Sequence, residues 1–246
     1  MNQTIIDGIG DSLKYWANYI WTVKRDKIIN ESAIKYGISE YLVASESINS
    51  NRSLIGQPAI TNVLFEDRHD VFKGWRTDLL FEVSEDNKNV KIYFEFKYLR
   101  SLTLQQNEIN RYISDFLRLT ALAKLNNVNE CFFLLMGSPN NVFNLLWPNG
   151  NNRTIIKEVP QYDYKTIKQC LSLSKDNPCV FHLQDLLYAN EVSHLERFRK
   201  DYLYRENINK QQKLNENDKI EIILKYATPL EGNENIGVYI WQINID

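Results

Sequence analysis

The run "CFFLLMG" at residues 131–137 restricts the fold of this chain more than any other stretch. It carries no charge and no polar alternation, and it is short for a buried helix, so it reads as a strand covered on both faces. Such a strand sits inside a sheet with a layer on either side. The residues before it supply one: "EINRYISDFLRLTALAKL" sets Ile109, Tyr112, Ile113, Phe116, Leu119 and Ala123 at helical spacing.

Upstream the period changes. "VKIYFEFKYL" and "RTDLLFEV" read as strands joined by the turn-rich "SEDNKN", and a further strand covers Val63 to Glu66. Two helices precede these strands. "TIIDGIGDSLKYWANYIWTV" spaces Ile5, Ile9, Leu13, Trp16 and Ile20 along one face, and its polar face mixes acids and bases, so it is expected to pack on the body of the protein. "NESAIKYGISEYLVASES" has Asn30 as its N-cap and Ile34, Ile38, Tyr41, Leu42 and Ser45 as its stripe, which Glu31 extends backwards and Glu40 does not. From Ser138 to Pro178 the expectation is loops with one short helix near Thr166 to Leu171. "FHLQDLLYANEVSHLERFRKDYLYR" reads as charged helix, "ENINKQQKLNEND" as a linker, and "KIEIILKYATPL" with "NIGVYIWQINI" as a terminal strand pair.

Within "KIYFEFKYLR", Ile92, Phe94 and Phe96 share one strand face and Tyr93, Glu95 and Lys97 the other. A polar face in water explains this without any function. The register of the strand pair points elsewhere. With "SEDNKN" as the loop, Val83 faces Val90, and counting back along an antiparallel ladder sets Asp78 opposite Glu95. Directly opposed carboxylates destabilise a sheet unless a positive group stands between them, and a spacing of about 5 Å between Cβ atoms suits a shared divalent cation. Asp78 also interrupts a strand whose neighbours are apolar, where a carboxylate needs a partner. The plain alternative is a strand-end residue bonded to backbone or to Arg76.

Composition sets the outer limits. With 246 residues, 43 % hydrophobic and 24 % charged, the chain has the make-up of a globular protein with a sizeable core. Its net charge of −2 lacks the excess of a protein that coats nucleic acid, so such contact must come from a local patch. Three cysteines, Cys131, Cys170 and Cys179, have no metal-ligand spacing and suggest reduced thiols in a cytoplasmic setting. No stretch reaches the roughly eighteen apolar residues of a membrane span, and no secretory signal is evident at the start.

Together, "RTDLLFEV", a loop and "KIYFEFK" resemble the core of the PD-(D/E)xK nuclease superfamily, with Asp78 as first acid and Glu95-Phe96-Lys97 as the E-x-K half. The order of helix, three strands, helix and buried strand resembles it too, from about Asn30 to Gly137. Thr77 stands where the motif often has proline. The resemblance implies an α/β, restriction-endonuclease-like core, αβββαβ, with a mixed central sheet flanked by helices. This gives an N-terminal helical extension over 1–26, a core domain over 27–206, and a linker with the C-terminal strand pair over 207–246. It implies a Mg²⁺-dependent nuclease, with Mn²⁺ as a substitute, that hydrolyses DNA in restriction, phage defence or repair, with RNA left open and no membrane partner. The metal would be held by Asp78, Glu95, the carbonyl of Phe96 and a helix acid, Glu31 before Glu40, with Lys97 as the catalytic cation. A homodimer or a partner subunit is left open, as is the competing class, a nucleic-acid- or protein-binding scaffold that keeps the fold without chemistry.

Other candidates have simpler readings. Arg111, Asp115 and Arg118 have the spacing of intrahelical ion pairs on a solvated face, although either arginine could touch a phosphate. "ERFRKDYLYR" interleaves basic and aromatic residues, but Glu196, Asp201 and Glu206 dilute it. His69, His182 and His194 show no triad or zinc spacing.

Overall fold

The structure, a computed structural model, describes residues 3–53, 59–68, 76–85, 88–100, 106–125, 130–146, 178–183, 214–215, 217–229 and 234–246. Helix α1 spans Gln3–Thr22 and α2 Glu31–Ser53; strands β1 (Ala59–Arg68), β2 (Arg76–Glu85) and β3 (Lys88–Leu99) follow. Next come α3 (Gln106–Ala123), β4 (Glu130–Gly137), α4 (Pro139–Leu146), β5 (Cys179–His182), β6 (Lys219–Ala227) and β7 (Gly237–Ile245). Among the described residues the strands form one mixed sheet in the order β1-β2-β3-β4-β7-β6-β5. The pair β3/β4 is parallel and the other neighbours are antiparallel. The protein is therefore mixed α/β. No described helix is long and apolar enough to cross a membrane.

Alternation divides the core into two layers. Leu79, Phe81, Ile92, Phe94, Phe96, Phe132 and Leu134 point to the face covered by α1 and α2, where Ile9, Leu13, Ile34, Ile38 and Leu42 are buried. Leu80, Tyr93, Phe133, Leu135, Tyr239 and Trp241 point to the face covered by α3, with Tyr112, Phe116 and Leu119. The run at 131–137 lies between the two layers with every residue buried, as its lack of alternation requires.

Local chemistry sets the helix boundaries. Asn30 caps α2, its Oδ1 accepting from the Ala33 N–H at 2.8 Å. Helix α1 ends in a Schellman turn: the Arg25 N–H donates to the Ile20 carbonyl and the Lys24 N–H to that of Trp21. Lys24 takes the left-handed conformation there, with φ 57°. As the sequence suggests, α1 packs on the rest of the protein, against α2, β6 and β7. An irregularity in β6 between Leu224 and Tyr226 turns Tyr226 towards α1, where its hydroxyl donates to Asp11 at 2.8 Å.

Three sequence expectations are corrected. The "SEDNKN" turn is shorter, because β2 runs through Glu85 and β3 starts at Lys88. Pro139–Leu146 is a helix, not loop; proline is well placed at the first position of a helix, where no N–H is needed. Phe181 and His182 belong to a strand, which the charged sequence after them concealed. The expected helix at Thr166 to Leu171 and the "ERFRKDYLYR" stretch lie outside the described residues, as do His69, His194 and Cys170. Cys131 is buried, and the His182 ring Nδ1 lies 3.0 Å from the Asn217 carbonyl.

The packing of α1 yields a prediction. A Cβ on Gly10 would stand 2.5 Å from ring atoms of Tyr226, a ring held by its bond to Asp11. Gly10→Ala is expected to lower stability by about 1–3 kcal/mol through overpacking, read as a fall in the denaturation midpoint. Wild-type stability would show that α1 does not pack as described.

Candidate active site

The site is built on the ladder between β2 and β3. Val83 pairs with Val90 and Leu79 with Phe94, and the next step brings Asp78 opposite Glu95. One strand further out, Phe65 pairs with Leu79 and Asp67 with Thr77, so Glu66 stands across from Asp78. Three acids thus form a row over β1, β2 and β3. On the other side of Glu95 the row becomes apolar, since Glu95 pairs with Phe133 and Phe133 with Trp241. Glu66 has φ 55°, a conformation that non-glycine residues seldom adopt.

Each acid is met by a particular group. Asp78 Oδ2 accepts from the Phe96 N–H at 2.8 Å, and its Oδ1 lies 3.3 Å from Lys35 Nζ. Lys35 also pairs with Glu66. Glu95 is 3 % exposed and hydrogen-bonds Asp78. Among the described residues its Oε1 is buried without a hydrogen-bond partner, and Arg118 Nη2 is 3.5 Å away. Lys97 Nζ is 2.6 Å from Asp115 and 3.8 Å from Glu31, and Arg118 also pairs with Asp115. From end to end, Glu66, Lys35, Asp78, Glu95, Arg118, Asp115, Lys97 and Glu31 form one chain of contacts.

This brings Asp78, Glu95, Lys97 and Glu31 into one neighbourhood, with the Phe96 backbone bonded to Asp78. Glu31 is half exposed at the head of α2, and Glu40 is exposed further along the same helix. The ammonium of Lys97 is in contact with Asp115 and Glu31. Asp115 and Arg118 depart from the expected solvated face: Asp115 is 5 % exposed, because it lies on the flank of α3 that meets β3. The side chain of Arg111 is outside the described residues. The sequence reading overlooked Lys35. It lies one helical turn after Glu31, so the spacing that placed Glu31 at the site would have placed Lys35 there too.

Burial is the largest influence on both central carboxyls and acts upward on both, yet their net shifts are opposite. Burial and the Asp78 charge push the Glu95 carboxyl well above the usual range, against the pull of Arg118 and Lys97. For Asp78 burial also acts upward. The hydrogen bond from Glu95, the Phe96 N–H, and the charges of Lys97 and Lys35 outweigh it and hold Asp78 below the usual range. Burial opposes the Lys35 charge, but hydrogen bonds and attraction from Glu66 and Asp78 prevail and raise its pKa. Of the pair, Glu95 is therefore the one that holds its proton to higher pH, and Asp78 the one that ionises first.

A carboxyl pair of this kind fits a divalent cation. Among the described residues Glu95 Oε1 is a buried oxygen with no hydrogen bond, only the Arg118 guanidinium 3.5 Å away; Asp78 is held below the usual range, and both are hard oxygen ligands. Among the described residues no three His, Cys, Asp or Glu side chains form a metal cage. Mg²⁺ is commonly held by one or two carboxylates with waters completing its shell.

The opposite shifts predict opposite pH effects on stability in metal-free protein. A raised carboxyl pKa means the folded state holds the proton that the unfolded state has released. Stability therefore falls as pH rises from the unfolded value, about 4.3, through the folded one. Glu95→Gln removes that loss and should melt above wild type at pH 8 by about 2–4 °C per kcal/mol recovered, a gain that closes towards pH 4. Asp78 contributes stability that is present above its unfolded pKa and lost as pH falls, so Asp78→Asn should melt below wild type at pH 8. Equal melting of the two variants across this range would refute the proton assignment.

No protein-family model matches the chain, no curated protein matches it, and no solved structure matches it.

Proposed function

We propose that the protein is a metal-dependent nuclease with a restriction-endonuclease-like core that hydrolyses phosphodiester bonds in DNA. The observation that carries this reading is the directly opposed pair of partly buried Asp78 and buried Glu95, with Lys97 on the same strand face. The order α2, β1, β2, β3, α3, β4 supports it, being the αβββαβ succession implied by the sequence motif. Mg²⁺ or Mn²⁺ would be held by Asp78 and Glu95, with the Phe96 carbonyl and Glu31 as further oxygen donors. When bound, the cation would supply positive charge against the phosphate and make water a stronger nucleophile.

The chain's own residues orient the reaction. The Phe96 N–H fixes Asp78, and Arg118 balances Glu95. During hydrolysis a water oxygen bonds to phosphorus as the ester P–O bond breaks. The water gives up a proton and the departing oxygen gains one, so that one water yields a phosphate monoester and a hydroxyl. Negative charge builds on the phosphoryl oxygens, and an ammonium nearby stabilises it. Restriction, phage defence or repair in the cytoplasm would use such chemistry, with RNA as a second substrate class and a second copy or another subunit as partner.

A scaffold that keeps the fold without catalysis is the competing reading. The 2.6 Å contact of Lys97 with buried Asp115 favours it, since that lysine then has a structural use. Incubating the purified protein with plasmid and linear DNA, with Mg²⁺ or with EDTA, separates the two. Asp78→Asn and Glu95→Gln are expected to abolish cleavage while Ca²⁺-supported DNA binding persists. Lys97→Met should slow cleavage about a hundredfold, and Mn²⁺ binding by calorimetry should be as strong or stronger. Glu31→Gln should slow the reaction more than Glu40→Gln. Absence of cleavage and of Mn²⁺ binding by the wild type would leave the scaffold reading.

A further inference from the structure

We infer that Lys35 supplies a second ammonium to the phosphodiester, an inference that rests on the nuclease reading above and adds a residue outside the E-x-K motif. The two lysines of the site are placed differently. Lys97 lies 2.6 Å from an Asp115 side chain that is itself buried, and 3.8 Å from Glu31, so its charge is committed to two carboxylates. Lys35 also pairs with two carboxylates, but both, Glu66 and Asp78, belong to the carboxyl row itself. It lies 3.3 Å from Asp78 Oδ1, while Asp78 Oδ2 is occupied by the Phe96 N–H.

Helix α2 places it there by its pitch. Glu31 and Lys35 are four residues apart, a spacing at which a glutamate and a lysine often pair with each other. Here the acid reaches to Lys97 and the base to Asp78 and Glu66. The head of α2 thus lays one charge of each sign across the row of acids.

The two lysines are similarly shielded, and each has one half-exposed acid beside it, Glu66 for Lys35 and Glu31 for Lys97. What differs is where that acid stands, since Glu66 ends the row of acids on β1, the edge strand of the described sheet. On the β4 side the row is closed by Phe133 and Trp241, both buried. A phosphate therefore approaches from the side of β1 and α2 and meets Lys35 first. The ammonium keeps its proton and donates hydrogen bonds to a phosphoryl oxygen as charge builds there, with Glu66 as its tether in the free protein.

The test compares Lys35→Met, Lys35→Arg and Glu66→Gln with wild type for cleavage of linear DNA in Mg²⁺, together with Mn²⁺ calorimetry and thermal melting. Lys35→Met should lose about a hundredfold in rate, with the loss in kcat rather than KM and with Mn²⁺ binding retained. Lys35→Arg, which keeps a charged donor, should recover part of that loss. Glu66→Gln removes only the tether and should lose far less than Lys35→Met. If Lys35 merely ties β1 to β2, Lys35→Met and Glu66→Gln will lose activity equally, and that result overturns the inference. So does a Lys35→Met rate within about threefold of wild type, which is too small for a lost transition-state donor. Should Lys35→Met fail to fold, Lys35→Gln, neutral but still able to hydrogen-bond Asp78, takes its place under the same criteria. A wild type that cleaves no nucleic acid removes the nuclease reading and the role of Lys35 with it, whereas an active wild type with an unaffected Lys35→Met removes the role alone.

Discussion

Two carboxyl groups facing each other inside a sheet, Asp78 and Glu95, are the constraint around which the neighbouring elements are arranged. Transferring one carboxylate from water to such a place costs several kcal/mol, and a second beside it costs more. The structure meets this cost by setting the two carboxyls apart, Glu95 shifted upward and Asp78 downward, and by bringing cations from both layers. Lys35 comes from α2 on one side and Arg118 from α3 on the other, while Lys97 is supplied by β3 itself. The helices that cover the two faces are therefore joined to the sheet by charge as well as by apolar packing. Replacing such a network with well-packed apolar residues is often neutral or stabilising, so stability alone gives little reason to retain it.

Helix α3 shows how one segment serves both ends. Tyr112, Phe116 and Leu119 bury its apolar stripe against the sheet, and Asp115 and Arg118 sit on the margin of that stripe. The margin is where an ion pair can be partly desolvated without being sealed in. Asp115 contacts Lys97 and Arg118, and Arg118 in turn pairs with Glu95, so the helix acts on the charge balance of the central pair through Arg118, which Asp115 holds in place.

What the sequence revealed followed periods and ladders. The alternation in "KIYFEFKYLR", the apolar run at 131–137 and the strand pair at the C-terminus all became strands, and the register that sets Asp78 against Glu95 is the one seen. These features depend on one or two elements at a time. Lys35, the burial of Asp115 and the contact of Arg118 with Glu95 depend on how a helix rotates over a sheet, which no local period reports. Lys35 was within reach of the spacing argument for Glu31, but a lysine at the border of an apolar stripe has the ordinary reading of a solvated charge. The strand at Cys179–His182 was hidden for another reason: four residues with only Phe181 well buried carry too little alternation to outweigh the helical sequence after them.

The location of the site within the sheet follows from the same physics. A row of acids could not continue into β4, where Glu95 gives way to Phe133 and then to Trp241, because those strands are covered on both faces and offer no water for a charge. At the other end the row reaches β1, an edge strand, where Glu66 is half exposed and its backbone leaves the extended conformation. An unusual backbone angle beside a cluster of charged groups belongs with functional sites more often than with plain structure. Charge is deepest at Glu95 and most open at Glu66, with Asp78 between them. Among the described residues the open end is bordered by α2, the helix that supplies a base as well as an acid.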